Sequence, residues 1–182
     1  NVNINPTRNG ILIALKKMGA RISLLNKRIL NNEEVCDIEI FSSELKGCDL
    51  DANLAKLMID EYPILSIAAI KAKGNTIMEG VEELRYKETD RISAMCKGLN
   101  SIGVDTIDNK NSMIIKGKGP DCNLNGNISI KSNLDHRIAM SFLCLGLITE
   151  NPIKVENTDT INSSFPSFLE IMNKIGAKLN HV

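Results

Sequence analysis

Charged side chains gather where predicted helices begin. Residues 85–91 read Arg-Tyr-Lys-Glu-Thr-Asp-Arg just before a helix predicted from residue 92, and shorter charged clusters stand at 60–61 and 135–137. Two further polar segments lie at 5–8 and 163–166. Helix N-termini carry unpaired N–H groups and a partial positive charge, so they suit anions. With the lysine and arginine side chains added, the pattern predicts a site for more than one phosphate or carboxylate group.

Two carboxylates in these clusters, Asp60 and Glu88, are candidates for an acid and a base beside the cations Lys87, Arg91 and Arg137. Neighbouring cations would keep such a carboxylate charged, whereas burial would raise its pKa, and the sequence leaves both directions open. Structural explanations also remain open. Asp60 and Asp135 are equally explained as helix N-caps, and the residues around Glu88 as a solvated helix start with local ion pairs.

The elements that position these residues follow a repeated pattern. Each of three segments predicts an amphipathic helix, a terminating glycine and then an alternating strand; they are residues 10–24, 92–107 and 168–179. The terminating residues are Gly19, Gly103 and Gly176. Glycine is favoured there because the position after a helix adopts a left-handed backbone conformation. Residues 24–49 predict a strand pair around an Asn31-Asn32 turn, and 108–133 predict further strands joined by Asn- and Gly-rich turns.

Two further segments, 60–74 and 135–150, predict apolar helices that open with an acidic residue and precede a strand. Helices of this composition are buried on most sides. The simplest interpretation is an α/β (α+β) fold of repeated β-α-β-α-β-β units, with about two complete copies and part of a third. We expect one domain over residues 1–182, with buried helices, outer sheets and a shortened N-terminus.

Composition excludes several classes of protein. The 22 Lys and Arg residues balance 22 Asp and Glu residues, and aromatic residues make up only 3% of the chain. A nucleic-acid-binding repeat protein would need a basic excess or stacking residues. No apolar run reaches the roughly 18 residues of a membrane span. The five cysteines show no Cys-x-x-Cys spacing, which disfavours a zinc site and indicates a reducing, cytoplasmic compartment.

Three motifs in order resemble the 5-enolpyruvylshikimate-3-phosphate (EPSP) synthase family, in its bacterial class. They are Asp-Glu-Tyr-Pro at 60–63, Lys-Glu-Thr-Asp-Arg at 87–91 and Leu-Asp-His-Arg-Ile-Ala-Met at 134–140. The resemblance runs from Asn5 to Ala177. Family members are about twice as long, with two similar domains, each built from three β-α-β-α-β-β copies. The resemblance therefore implies most of a C-terminal enolpyruvyl transferase-type domain, with the N-terminal domain absent.

The family transfers the enolpyruvyl group of phosphoenolpyruvate to the 5-hydroxyl of shikimate 3-phosphate and releases phosphate, without a metal or organic cofactor. The activity belongs to the biosynthesis of aromatic amino acids. By resemblance, Asp60 contacts the shikimate hydroxyl and acts as its base. Glu88 delivers a proton to the enol methylene and later removes it.

The resemblance also implies roles for the cations. Lys87 would lie between the two substrates and bind shikimate 3-phosphate. Arg91 and Arg137 would bind phosphoenolpyruvate, with His136 beside them. Many members carry a lysine two residues before the Phe-Pro of the last motif, and Ser163 stands at that position here. By resemblance, this departure weakens one expected phosphoenolpyruvate contact, and Ser163 is not counted as a ligand.

Family substrates bind between the two domains, and most contacts to shikimate 3-phosphate come from the N-terminal one. We therefore expect negligible turnover by this chain alone, and self-association through the exposed interdomain face. Two other interpretations stay open. One is a fragment that only folds or associates, and the other is an enzyme resembling UDP-N-acetylglucosamine enolpyruvyl transferase, which the motif pairing disfavours.

Overall fold

Helices and strands alternate along the chain, as the repeated pattern predicts. The computed structural model describes residues 1–181. The strands are β1 (Val2–Asn3), β2 (Arg21–Leu30), β3 (Glu33–Phe41), β4 (Asp49–Leu50), β5 (Lys73–Glu79), β6 (Thr106–Asp108), β7 (Ser112–Lys118), β8 (Ser129–Lys131) and β9 (Lys154–Glu156). The α-helices are α1 (Gly10–Lys17), α2 (Ala52–Met58), α3 (Tyr62–Ile70), α4 (Arg91–Ser101), α5 (His136–Leu145), α6 (Ile161–Ser164) and α7 (Phe168–Lys174). Short 3₁₀ helices lie at Glu82–Tyr86 and Gly146–Ile148.

The middle of the chain contains one complete β-α-β-α-β-β unit. Its sheet has the order β4-β5-β7-β6, in which β4 and β5 are parallel and the other neighbours are antiparallel. The parallel pair is joined through α2 and α3, and β5 is joined to β6 through α4. The predicted apolar helix of this unit is shorter than expected, because α3 ends at Ile70 and β5 begins at Lys73.

Partial units flank the complete one. Strands β1, β2 and β3 form a sheet of order β1-β3-β2, which matches β5-β7-β6. The parallel pair β8-β9 matches β4-β5. The expectation of two complete copies is therefore wrong for residues 1–181. The predicted turn between β2 and β3 is confirmed, since Asn31 and Asn32 both adopt left-handed backbone conformations.

The strand predicted after Gly176 does not form. Gly176 has a φ of +106° and ends α7 as expected, but residues 177–181 are irregular. In the complete unit, the strand after the corresponding glycine pairs with β7. Residues 177–181 have no such neighbour among the described residues. A strand needs a partner for its backbone hydrogen bonds, which local sequence cannot supply.

Helix α3 is buried along most of its length and α5 along half of it, which confirms the predicted buried helices. Helix α4, predicted as amphipathic, is also largely buried. Tyr62, Leu65 and Ile70 of α3 are at most 1% exposed. A glycine allows α4 and α5 to pack closely, because a β-carbon at Gly98 would lie 2.2 Å from the ring of Phe142. Close packing holds the N-termini of these helices near one another. No helix within residues 1–181 combines the length and apolar character that crossing a membrane requires.

Candidate active site

The N-termini of α3, α4 and α5 meet around one buried side chain, that of Arg91. Its guanidinium, on a side chain only 1% exposed, donates to three carboxylates. Nε lies 2.7 Å from Asp135, Nη1 lies 3.0 Å from Asp60, and Nη2 lies 2.6 Å from Glu88. Hydrogen bonds between charged partners are about twice as strong as neutral ones. Arg91 therefore ties together the starts of three helices.

Asp135 both holds Arg91 and starts α5. This carboxylate is fully buried, and one of its oxygens accepts from the backbone N–H groups of Arg137 at 2.8 Å and Ile138 at 3.3 Å. The other oxygen accepts from Arg91. The helix-cap interpretation is confirmed for Asp135. It is wrong for Asp60, because the residue before α3 is Glu61 and no side chain caps that helix.

Asp60 instead lies between two arginines. Its second carboxylate oxygen is 3.4 Å from Nη2 of Arg137. Burial of Asp60 disfavours its charge, but Arg137, Arg91 and Lys87 outweigh burial and lower the pKa of this carboxyl below its ordinary value of 3.8. For Asp60, the nearby cations therefore decide the direction in which the pKa moves. Asp60 is therefore an anion at neutral pH.

Arg137 is held more loosely than Arg91. Its Nη1 donates to the backbone oxygen of Asp60 at 3.1 Å and lies 3.9 Å from the carboxylate of Glu61, on a side chain 34% exposed. Burial raises the pKa of Glu61 above its ordinary value, and Arg137 opposes that shift only in part. This guanidinium retains N–H groups for a ligand.

The structure brings four of the six predicted site residues into one contact network: Asp60, Glu88, Arg91 and Arg137. Lys87 lies at the edge of this network, with Nζ 2.6 Å from Glu83. His136 is half-buried and makes no side-chain hydrogen bond among residues 1–181. Glu88 is the most exposed of the three carboxylates on Arg91, since 48% of its side chain is accessible.

Sequence reasoning gave no role to Arg85, which anchors the segment that carries Lys87 and Glu88. Arg85 pairs with Asp90 at 2.8 Å, and Asp90 caps α4. At the β6–β7 turn, Arg85 also donates to the carboxylate of Asp108 and to the backbone oxygens at 109 and 110. The segment 87–89 is thus fixed at both ends. Arg85 precedes Asp90 by five residues, which is not the spacing of a helical ion pair. No local pattern therefore indicates the role of Arg85.

Within the described part of the chain, no group of three or more His, Cys, Asp or Glu side chains is arranged to hold a metal ion. The arrangement that is present offers carboxylates for proton transfer and arginines for anions.

The chain is similar to known proteins over nearly its whole length. The family model for EPSP synthase (3-phosphoshikimate 1-carboxyvinyltransferase) matches residues 1–172. A 3-phosphoshikimate 1-carboxyvinyltransferase of Chelativorans sp. is 46% identical over 98% of this chain and 40% of its own length. A protein of the same name from Petrotoga mobilis is 48% identical over 96% of this chain and 40% of its own length. The chain thus spans about 40% of these curated relatives.

Solved structures agree. The structure of EPSP synthase from Acinetobacter baumannii matches with a TM-score of 0.92 and 44% identity, over 97% of this chain and 41% of that one. The enolpyruvyl transferase NikO from Streptomyces tendae matches with a TM-score of 0.72 at 18% identity, over 95% of this chain and 36% of that one. The second likeness concerns the fold alone.

The first prediction concerns the buried pair of Arg91 and Asp135. Asp135→Asn keeps the size of the side chain and an oxygen for the helix cap, but removes a buried counter-charge. Breaking a buried pair in this way costs roughly 3–5 kcal/mol, and urea unfolding at neutral pH measures the loss. Glu170→Gln is the control, because its exposed pair with Lys174 contributes about 0.5 kcal/mol. Equal losses in the two variants would contradict the role given to Asp135.

The second prediction concerns pH. The lowered pKa of Asp60 means that the folded state releases this proton more readily than the unfolded chain does. The stabilisation is therefore complete above the ordinary value of 3.8 and is lost as pH falls from there through the lower, folded-state pKa.

Urea unfolding of the original chain and of Asp60→Asn, repeated across pH, tests this linkage. The stability difference between them should stay constant near neutral pH and narrow below 3.8, where Asp60 becomes protonated. A difference that widens on acidification would show that the pKa shift has the opposite sign.

Proposed function

The chain belongs to the EPSP synthase family, and from that premise we propose that it supplies one side of an active site for enolpyruvyl transfer. The reaction joins the enolpyruvyl group of phosphoenolpyruvate to the 5-hydroxyl of shikimate 3-phosphate and releases phosphate. The observation that carries the proposal is the meeting of Asp60, Glu88, Arg91 and Arg137 at three helix N-termini. Addition followed by elimination needs a base, an acid and cations in such proximity.

The proposed chemistry assigns a proton to each carboxylate. The 5-hydroxyl oxygen attacks the enol carbon of phosphoenolpyruvate and gives its proton to Asp60, while Glu88 protonates the methylene carbon. In the second half, the carbon–oxygen bond to phosphate breaks, Glu88 takes a proton back from the methyl group, and the proton held by Asp60 leaves with the phosphate. Positioned acid–base groups contribute roughly 10²–10⁴-fold each. The exposed carboxylate of Glu88 suits a group that must reach a substrate.

The arginines link substrate binding to the basicity of Asp60. Arg91 and Arg137 now help to lower the pKa of this carboxyl, which makes it a weak base. An anionic phosphoenolpyruvate would draw the guanidinium of Arg137 toward its own carboxylate and phosphate. Asp60 would then regain basicity when the substrate arrives. Stabilisation of charge by fixed cations is usually the largest catalytic effect.

Charge also supports the need for a second side to this site. Three cations of the cluster, Lys87, Arg91 and Arg137, face five carboxylates, and both substrates are anions. The five are Asp60, Glu61, Glu83, Glu88 and Asp135. Further cations must therefore come from a partner region, and the chain spans only about 40% of its curated relatives. We propose that this region corresponds to the N-terminal domain of the family.

We also propose that the protein acts in the cytoplasm. All five cysteines are free in the described structure, which suits a reducing compartment.

Reconstitution tests the proposed function. The chain would be assayed for phosphate release from the two substrates, alone and mixed with the N-terminal part of the Chelativorans relative. We expect release only in the mixture, and a loss of roughly 10²–10⁴-fold in Glu88→Gln.

Glu82→Gln is the matched control, because Glu82 is a nearby carboxylate whose one ion pair within residues 1–181 is with Lys110, at 3.7 Å. It should keep full activity. Turnover by the chain alone would contradict a site that needs a partner region. Equal activity of Glu88→Gln and Glu82→Gln would contradict the role of Glu88.

A further inference from the structure

An apolar cavity adjoins the cluster and shares Asp60 and Arg137 with it. It has a volume of about 230 Å³ and opens between α3, α5 and the segment 165–168. Its walls are mainly hydrophobic: Ile64, Met140, Cys144, Phe165 and Phe168. One polar side chain, that of Ser141, lies among these apolar walls and is 2% exposed. The two phenylalanine rings stand edge to face, with centroids 5.7 Å apart. Aromatic rings prefer such edge and offset contacts with other rings, so this wall suits a small apolar or aromatic group.

The mouth of the cavity carries opposite charges. Glu61 and Arg137 both line it, with side chains 32% and 34% exposed. Their closest oxygen and nitrogen are 3.9 Å apart, which is too long for a direct hydrogen bond. Asp60 also lines the mouth, but its carboxylate is already engaged by Arg91. Glu61 and Arg137 thus present an anion and a cation side by side, in a loose ion pair without a direct hydrogen bond.

We propose that this cavity binds a free α-amino acid with an aromatic side chain. Its ammonium group would pair with Glu61, its carboxylate would pair with Arg137, and its ring would lie against Phe165 and Phe168. A simple anion would meet the carboxylates of Asp60 and Glu61, whereas a zwitterion satisfies both signs of charge. The cavity is smaller than the roughly 300–1,000 Å³ of drug-sized sites, which fits a small metabolite.

This site would also affect the proposed reaction. Arg137 serves both the cavity and the proposed phosphoenolpyruvate site, so the two ligands would exclude one another. That consequence rests on the proposed function, whereas binding of the amino acid does not.

Calorimetric titration of the chain with L-phenylalanine tests the proposal, because binding can fail or succeed independently of any turnover. We expect saturable binding. Three analogues isolate the contacts: 2-phenylethylamine lacks the carboxylate, 3-phenylpropionate lacks the ammonium group, and L-alanine lacks the ring. Each should bind at least about tenfold more weakly than L-phenylalanine. The first two analogues lose a hydrogen bond to a charged group, which contributes that much or more, and L-alanine loses the apolar contact of the ring.

Variants locate the site. Glu61→Gln should weaken L-phenylalanine binding about tenfold or more, and Cys144→Phe should abolish it by filling the cavity. Glu170→Gln, an exposed carboxylate change on α7 away from the cavity, is the matched control and should bind as the original chain does. If Cys144→Phe does not fold, Glu61→Gln carries the test.

Three results would overturn the proposal. The first is no saturable binding of L-phenylalanine. The second is equal binding of 3-phenylpropionate, which would indicate a site for anions. The third is binding unchanged in Glu61→Gln, which would place the ligand elsewhere.

Discussion

The buried charge of Arg91 is the constraint on which the site depends. An arginine that is 1% exposed costs several kcal/mol in lost hydration unless carboxylates compensate for it. Asp60, Glu88 and Asp135 supply that compensation from the starts of three helices. Because each carboxylate must stay within hydrogen-bond distance, the helix N-termini are held at one point. Close packing at Gly98 brings α4 and α5 near enough for this contact.

The electrostatics of the neighbouring groups follow from the same arrangement. Asp135 is the rigid member, since it is fully buried and also caps α5. Asp60 and Glu88 are progressively more exposed. Among the described residues, the side chain of Arg137 makes one hydrogen bond, to a backbone oxygen. The site therefore combines a fixed centre with a more exposed rim.

The sequence predicted most of the local features of this site. Helix ends at Gly19, Gly103 and Gly176 were predictable because a left-handed residue must follow each helix. The charged clusters were predictable because helix N-termini attract polar side chains. Their convergence could be inferred only from resemblance, since distances between motifs depend on packing. The role of Arg85 could not be predicted from local sequence, because its partners at 108–110 are close only after the β6–β7 turn forms.

Two departures from local pattern have a common physical cause. The local pattern allows Asp60 to be a helix cap, but two arginines distant in sequence contact its carboxylate instead. The strand expected after Gly176 needs a neighbouring strand, which the described residues do not provide there. In both cases a long-range partner decides the outcome. The likeness in fold to EPSP synthase from Acinetobacter baumannii, with a TM-score of 0.92, shows that the overall arrangement is nonetheless that of the family.

A double-mutant cycle between Arg91 and Asp135 tests the central claim most directly. Unfolding free energies would be measured for the original chain, Arg91→Met, Asp135→Asn and the double variant. We predict that each single change leaves an uncompensated buried charge or acceptor, and that the double variant loses much less than the two single losses together. The expected coupling lies at the upper end of the usual range of about 0.5–3 kcal/mol for contacting residues. Strictly additive losses would contradict the account, because they would mean that Arg91 and Asp135 do not compensate each other in the folded protein.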